Sequence, residues 1–277
     1  MPDVVHGSER RPLEPGHLLF DDAAELAIMV PASCRRTGRC HECVVEVREG
    51  GDQLSPRTEA ESFLGSTFRL ACQATVERAE RDLEFTVLRR RLRILLAPDA
   101  PDAAPELDPA VRVTGGRMVA SDGTDLGPAT GTPVGVAIDV GTTTVVVELV
   151  DLESGAVLAV AAIENPQRFG GSDVMTRISY DTELPGELRQ SLRRAVNHEL
   201  KRLCSELHVD RRRLVDVVVV GNPTMRDLAF GLDVHPIGRL PYRSVTETAW
   251  RDGAADTTMI ARRAHELGML VNPQARV

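Results

Sequence analysis

"CRRTGRCHEC", residues 34–43, holds three cysteines with five and then two residues between them, in a stretch that also carries Arg35, Arg36 and Arg39. A fourth, Cys72, follows twenty-nine positions after Cys43 in "FRLACQATV" (68–76). Four thiolates can neutralise and fully coordinate a diiron core, and three ligands on one loop plus one distant ligand suit its shape. A four-cysteine zinc site or unligated core thiols remain alternatives, although zinc sites commonly use two paired knuckles and Cys72 has no cysteine near it in sequence. The amino-terminal stretch "MPDVVHGSER" lacks the basic-then-apolar pattern of an export signal, so a cytoplasmic protein is expected. In that reducing compartment a disulfide knot is disfavoured and clustered cysteines read as metal ligands. The fifth cysteine, Cys204, lies beside Leu203 on the apolar side of a helical pattern and reads as a small core residue.

Around the cysteines, "LLFDDAAELAI" (18–28) reads as a short helix, while "VVEVREGG" (44–51) and "LEFTVL" (83–88) read as strands. "SPRTEAESFL" (55–64) suggests a helix start with Ser55 as N-cap and Pro56 in the first turn. Together these describe a small α+β module over residues 1–92. Residues 97–133 are rich in Pro, Ala, Asp and Gly, and a linker is expected over 93–133, with a short strand near Val111 and Val113.

From residue 134 to 277 the pattern changes. "VGVAIDV", "TTVVVELVD" and "AVLAVAAI" are β-type runs joined by short turns, an antiparallel meander. Leu188, Leu192, Val196, Leu200, Leu203 and Leu207 fall on one face of a helix over 186–208, and "VDVVVVG" (215–221) reads as a buried strand. Between the first two runs, "DVGTTT" (139–144) puts Asp139 at a strand end, Gly141 in a tight turn, then threonines. Such a turn can aim backbone N–H groups and hydroxyls at a phosphate while the carboxylate orients a magnesium-bound water. An ordinary hairpin with β-favouring threonines is the competing reading.

The 277 residues carry a net charge of −8, which argues against a nucleic-acid or anionic-membrane surface. No apolar run approaches the roughly 18 residues of a membrane span. Lys201 is the only lysine, a coding bias of little functional weight.

The cysteine loop, the "VVEV" strand after it and "RLACQ" (69–73) resemble a 2Fe-2S ferredoxin of the β-grasp fold. That resemblance implies that Cys34, Cys40, Cys43 and Cys72 ligate the cluster and that the module carries one electron at a time. The loop departs from the family pattern in placing Arg35 and His41 where glycine is usual, while Gly38 is kept. If those positions demand positive φ the loop is strained; if they do not, Arg35, Arg36 and Arg39 add positive charge that should raise the reduction potential.

Residues 134–277 resemble the first ribonuclease H-like half of an actin-like ATPase domain, in the superfamily of acetate and sugar kinases, heat-shock chaperones and actin. "ENPQRFGGSDVMTRI" (164–178), "VVVVGNPTM" (217–225) and "IGRLPY" (237–242) further resemble the reductive activators of corrinoid proteins, which also carry a 2Fe-2S domain and a linker. The resemblance implies an ATP-dependent reductase that passes an electron to an inactive cob(II)alamin on a corrinoid protein or corrinoid-dependent methyltransferase, with an electron donor still to be named. It implies MgATP as second ligand, held by Asp139, Gly141, Thr142 and Thr143, with Asp173, Gly221 and Asn222 nearby. "GNPT" has a competing reading as a turn and helix start capped by Thr224.

A nucleotide site in that superfamily lies between two halves, and 134–277 suffices for one. Complete ATP turnover by this polypeptide alone is therefore not expected, and an exposed inter-domain face prone to association is. The alternative is a plain electron carrier whose carboxy-terminal region only docks a partner.

Overall fold

The computed structural model describes residues 2–32, 34–88 and 107–277. Two compact units result, one of Met1–Arg90 with Pro166–Ser172, the other of Arg91–Asn165 with Asp173–Val277.

In the first unit β1 (Asp3–His6) and β2 (Glu9–Pro12) form a hairpin, followed by helix α1 (Leu19–Glu25), β3 (Val44–Glu49), β4 (Phe68–Leu70) and β5 (Leu83–Val87). The sheet order is β2-β1-β5-β3-β4, with β1 and β5 parallel and the remaining pairs antiparallel. Val4, Val45, Leu70, Leu83 and Phe85 are buried in the sheet, and Leu19 and Ala23 are the buried residues of the helix that give it an apolar face. The start of α1 is pinned beside Cys72: the Phe20 N–H donates to the Ala71 carbonyl and the Leu19 N–H to that of Ala74.

No α-helix begins at Ser55. Its backbone pairs with Thr75 in extended form, its N–H donating to the Thr75 carbonyl at 2.7 Å. The segment turns later, in a short 3-10 turn over Glu59–Glu61 capped reciprocally by Thr58 and Glu61.

The second unit contains a sheet where a linker was expected. Within 107–133, β6 (Val111–Thr114), β7 (Arg117–Ala120) and β8 (Asp125–Pro128) pair antiparallel. Val111, Met118 and Leu126 close a small core with Val215, so this stretch is packed structure. Residues 93–106 of the expected linker lie outside the described residues.

The larger sheet comprises β9 (Val134–Val140), β10 (Thr144–Asp151) and β11 (Val157–Glu164) as the expected meander. Helices α2 (Val174–Glu183) and α3 (Glu187–Glu206) then lead to β12 (Leu214–Gly221). The order is β11-β10-β9-β12, and β12 runs parallel to β9, as the intervening helical crossover permits. On α3 Leu188, Leu192, Val196, Leu200 and Leu203 are buried, with Cys204 beside them. Helix α4 (Pro223–Phe230), then α5 (Val245–Arg251) and α6 (Ala264–Leu267), complete the unit. Among the described residues no helix is long and apolar enough to cross a membrane.

Candidate functional site

The four loop and segment cysteines are free thiols; Cys40, Cys43 and Cys72 are buried and Cys34 is half-buried. They associate in two pairs. The Cys43 thiol donates to the Cys72 sulfur at 3.3 Å, and the Cys34 sulfur accepts from the Cys40 backbone N–H and thiol. Burial opposes ionisation of Cys34, yet hydrogen bonds from Thr37 and Cys40 outweigh it and bring its pKa down to about 6. The bond from Cys43 likewise lowers Cys72 to about 6 against the cost of burial. Cys43 is pushed up, first by that shared bond and then by burial. Such crowding favours a cation that displaces the remaining protons, because the thiolate is the ligand form. Together the two pairs could supply the four thiolates that a diiron core takes. Among the described residues no three or more Cys, His, Asp or Glu side chains are gathered closely enough to hold a metal ion.

The loop between the pairs is shaped by left-handed backbone. Gly38 (φ 78) needs its glycine, since a Cβ would stand 2.8 Å from the Ala60 Cβ. Its N–H reaches the Cys72 sulfur. Arg35 (φ 55), Arg36 (φ 65) and His41 (φ 54) are also left-handed, so the positions where glycine was missing do demand positive φ. That conformation costs an L-residue roughly 1–2 kcal/mol. Local contacts offset part of it: Arg36 donates to Asp21 at 2.6 Å and lies 4.3 Å from the Phe20 ring centroid, while His41 stacks on Phe63 at 3.9 Å. Gln73 ties loop to segment, its Nε2 donating to the Arg36 and Cys72 carbonyls at 3.0 Å and lying 3.5 Å from the Cys72 sulfur.

In the second unit the residues of the candidate phosphate hairpin meet at adjoining ends of β9 and β12. Asp139 is exposed there, in register with Val220. The Gly141 N–H donates to the Thr144 carbonyl at 2.9 Å, closing the turn. A Cβ on Gly141 would lie 2.7 Å from that oxygen, and one on Gly221 would lie 2.8 Å from the Val140 carbonyl oxygen, so both approaches require glycine. The Asn222 amide donates to the Thr142 hydroxyl at 3.3 Å. Asn222, rather than Thr224, caps α4, its Oδ1 accepting from the Met225 N–H at 3.0 Å. Thr143 is exposed in the turn. Asp173 sits at the start of α2, its Oδ1 accepting from the Thr176 N–H at 3.0 Å, so that carboxylate serves first as a helix cap.

Two residues beneath the hairpin had no sequence-level role. Asn165 donates to the Gly141 carbonyl at 2.8 Å from its side chain and to the Thr143 carbonyl at 2.7 Å from its backbone. Arg177 is buried and donates to the Thr142 carbonyl at 2.6 Å; burial lowers its pKa to about 10, so it remains a cation at neutral pH. The one local signal was for Asn165, a polar residue directly after the strand "AVAAIE"; nothing in the sequence around Arg177 marks it. The bonds from Asn165 and Arg177 occupy the carbonyls of Gly141, Thr142 and Thr143 and fix the backbone of the turn. A buried cation and the start of α4 both favour an anion there.

Comparison with known proteins matches residues 134–277 to the RACo middle region and residues 4–77 to the 2Fe-2S iron-sulfur cluster binding domain. The corrinoid activation enzyme RamQ of Eubacterium limosum is 30% identical over 128 residues, which are 45% of this chain and 22% of that protein. A solved reductive activator for corrinoid, iron-sulfur protein superposes over all of this chain and 54% of its own, with a TM-score of 0.53 and 23% identity, a likeness of fold. The chain thus spans about a fifth of the first relative and about half of the second.

Proposed function

The chain belongs to the RACo middle region family and carries a 2Fe-2S domain, and on that premise we propose that it is a reductive activator of a corrinoid protein, fed by a single-electron site and biased by a nucleotide. The observation that carries the reading is the presence of both matched regions in one polypeptide, each with a locally built site. When bound, a 2Fe-2S cluster supplies one-electron transfer. Cys34, Cys40, Cys43 and Cys72 would hold it as two pairs of thiolates, with the Gly38 N–H and the Gln73 amide offering hydrogen bonds to sulfur.

At the hairpin, Asp139 would orient a magnesium-bound water, while Gly141, Thr142 and Thr143 present N–H and hydroxyl groups to phosphate. Gly221 lets β12 approach, and Asn222 holds Thr142 in place. Asp173 contributes by starting α2, from which Arg177 reaches the hairpin. The strand order, three antiparallel strands and a fourth parallel to the first, supports the ribonuclease H-like half of an actin-like ATPase. Reducing a corrinoid cobalt is uphill at its low potential, and a ligand that binds one conformational state better than another can offset the difference.

The test uses the chain reconstituted anaerobically with iron and sulfide, reduced, and mixed with cob(II)alamin-loaded corrinoid protein with and without MgATP. Growth of the cob(I)alamin absorbance that depends on the reduced chain is expected, and its absence in both conditions would refute the proposal. Asp139→Ala should weaken MgATP binding at least tenfold in equilibrium titration and leave iron content unchanged. Equal affinity in this variant would reduce the hairpin to scaffold.

A further inference from the structure

The stretch Pro166–Ser172 belongs to the first unit although it follows β11 in sequence and lies outside the residues matched as the 2Fe-2S domain. It forms a 3-10 turn in which Pro166, Gln167, Phe169 and Gly170 are buried. Two contacts fasten it there. Arg168 donates to Glu46 of β3 at 2.6 Å, and the Phe169 ring meets Phe63 edge to face, with centroids 5.8 Å apart at 88°. The same Phe63 ring carries His41, stacked at 3.9 Å and 18°. His41 follows Cys40 directly and holds a left-handed backbone (φ 54). The order of contact is therefore Cys40, His41, Phe63, Phe169.

We propose that Phe169 is a positioning residue for the iron-sulfur centre, completing the apolar wall behind the Cys40–His41 corner of the cysteine loop. Three arguments support it. Stacked and edge-to-face rings constrain one another's orientation, so Phe169 limits the orientations in which Phe63 can stack on His41. Well-packed interiors collapse only partly when a large side chain is removed, so the space left by Phe169 would admit ring motion or water. Reduction adds a negative charge to the cluster, and water near a charge lowers its energy. Opening this wall should therefore favour the reduced form and make the midpoint potential more positive.

The inference rests on the cluster being held by the four cysteines named above. In the full chain, reconstituted anaerobically, the midpoint would be measured by dye-equilibrated titration and cluster loss by the rate of bleaching with an iron chelator. Phe169→Ala is expected to shift the midpoint positively and bleach several-fold faster, with far-UV circular dichroism retained. Phe169→Leu refills much of the space and should fall between Ala and wild type in both readouts. Arg168→Ala, which frees the same turn from Glu46, should move both in the direction of the alanine variant. Wild-type midpoint and bleaching rate in a folded Phe169→Ala protein would overturn the proposal. Should that variant fail to fold, wild-type values in Phe169→Leu would do the same. If the unaltered chain takes up no iron or sulfide, the cluster reading itself falls, and that outcome is visible before any variant is made.

Discussion

The buried pair of Glu61 and Arg69 makes a quantitative prediction about what holds the cysteine segment. Glu61 is fully buried and Arg69 nearly so. One carboxylate oxygen accepts from Arg69 Nε at 2.7 Å and from the Leu70 N–H at 3.0 Å. The other accepts from Arg69 Nη2 at 3.2 Å and from the Thr58 N–H at 3.0 Å. Leu70 is two residues before Cys72, so this carboxylate fixes the strand end that delivers the distant thiol. Removing one member of such a pair strands the other as a buried charge, which costs about 3–5 kcal/mol. Against a domain stability of about 5–15 kcal/mol this is a large fraction. Glu61→Ala should thus lower the opening free energy of the first unit's sheet by about 3–5 kcal/mol. Glu61→Met with Arg69→Met, which removes both charges, should recover most of that loss.

The measurement is native-state amide hydrogen exchange on cluster-free protein, read on peptides covering β3 and β4, because a chain of two units need not unfold in one step. The sign of the pH dependence follows from the Glu61 carboxyl. Burial alone would raise its pKa, but hydrogen bonds from Arg69, Thr58 and Leu70 outweigh it and hold the group below its ordinary value. A depressed folded-state pKa gives stability that is present above the unfolded value of about 4.3 and lost as pH falls through the folded one. The difference between wild type and Glu61→Ala should be constant from neutral pH to about 5 and shrink in more acidic solution. A loss below about 1 kcal/mol at neutral pH, or a double variant as unstable as the single one, would refute the reasoning.

Cys72→Ser should abolish the visible spectrum of the reconstituted chain, since it removes one thiol of the Cys43–Cys72 pair, whereas Cys204→Ser, on buried α3, should leave it intact; equal spectral loss in both would mean the ligand set is wrong. Gly38→Ala should destabilise the loop by about 1–3 kcal/mol, from a left-handed φ and a 2.8 Å approach to the Ala60 Cβ, and speed bleaching by chelator; wild-type retention would show that the Gly38 turn is not a constraint.

The sequence made visible those elements whose burial is continuous along the chain. Strands β9 and β10 and helix α3 each bury several residues at a regular spacing and were legible from it; β12 was legible as a strand from its apolar run, but it is not buried throughout as expected, since Val218 and Val220 are exposed. Of the sheet of β6, β7 and β8 only a short strand near Val111 and Val113 was legible, because each strand buries a single residue, Val111, Met118 or Leu126, among Gly, Pro, Asp and Arg. One buried residue in four sets no period, and composition then reads as linker. The four cysteines were legible as a group by residue type and spacing, and the structure brings them together as two hydrogen-bonded pairs. Arg177 was not, since a buried arginine is recognised by what surrounds it, and the carbonyl it meets belongs to Thr142, thirty-five positions earlier. Ser55 was misread for a related reason: its cap-like local sequence was overridden by pairing with Thr75.

The arginines that stand out in the cysteine loop are a weaker influence on the centre than they look. Arg35, Arg36 and Arg39 are exposed. Even at ~6 Å, a unit charge in a water-like dielectric contributes only about 0.7 kcal/mol, and physiological salt screens it further. Arg36 is answered by Asp21 as well. A hydrogen bond to a charged group in a buried setting contributes about 1.5–3 kcal/mol. The Gly38 N–H and the Gln73 amide, both directed at the Cys72 sulfur, therefore outweigh the three guanidinium groups taken singly. Exclusion of water acts on the same scale, through Phe63 and Phe169, which are both buried. On the proposed ligand set, a glycine and a glutamine that no charge count would single out each act on the centre more strongly than any one arginine of the loop, whose contribution fades as salt rises.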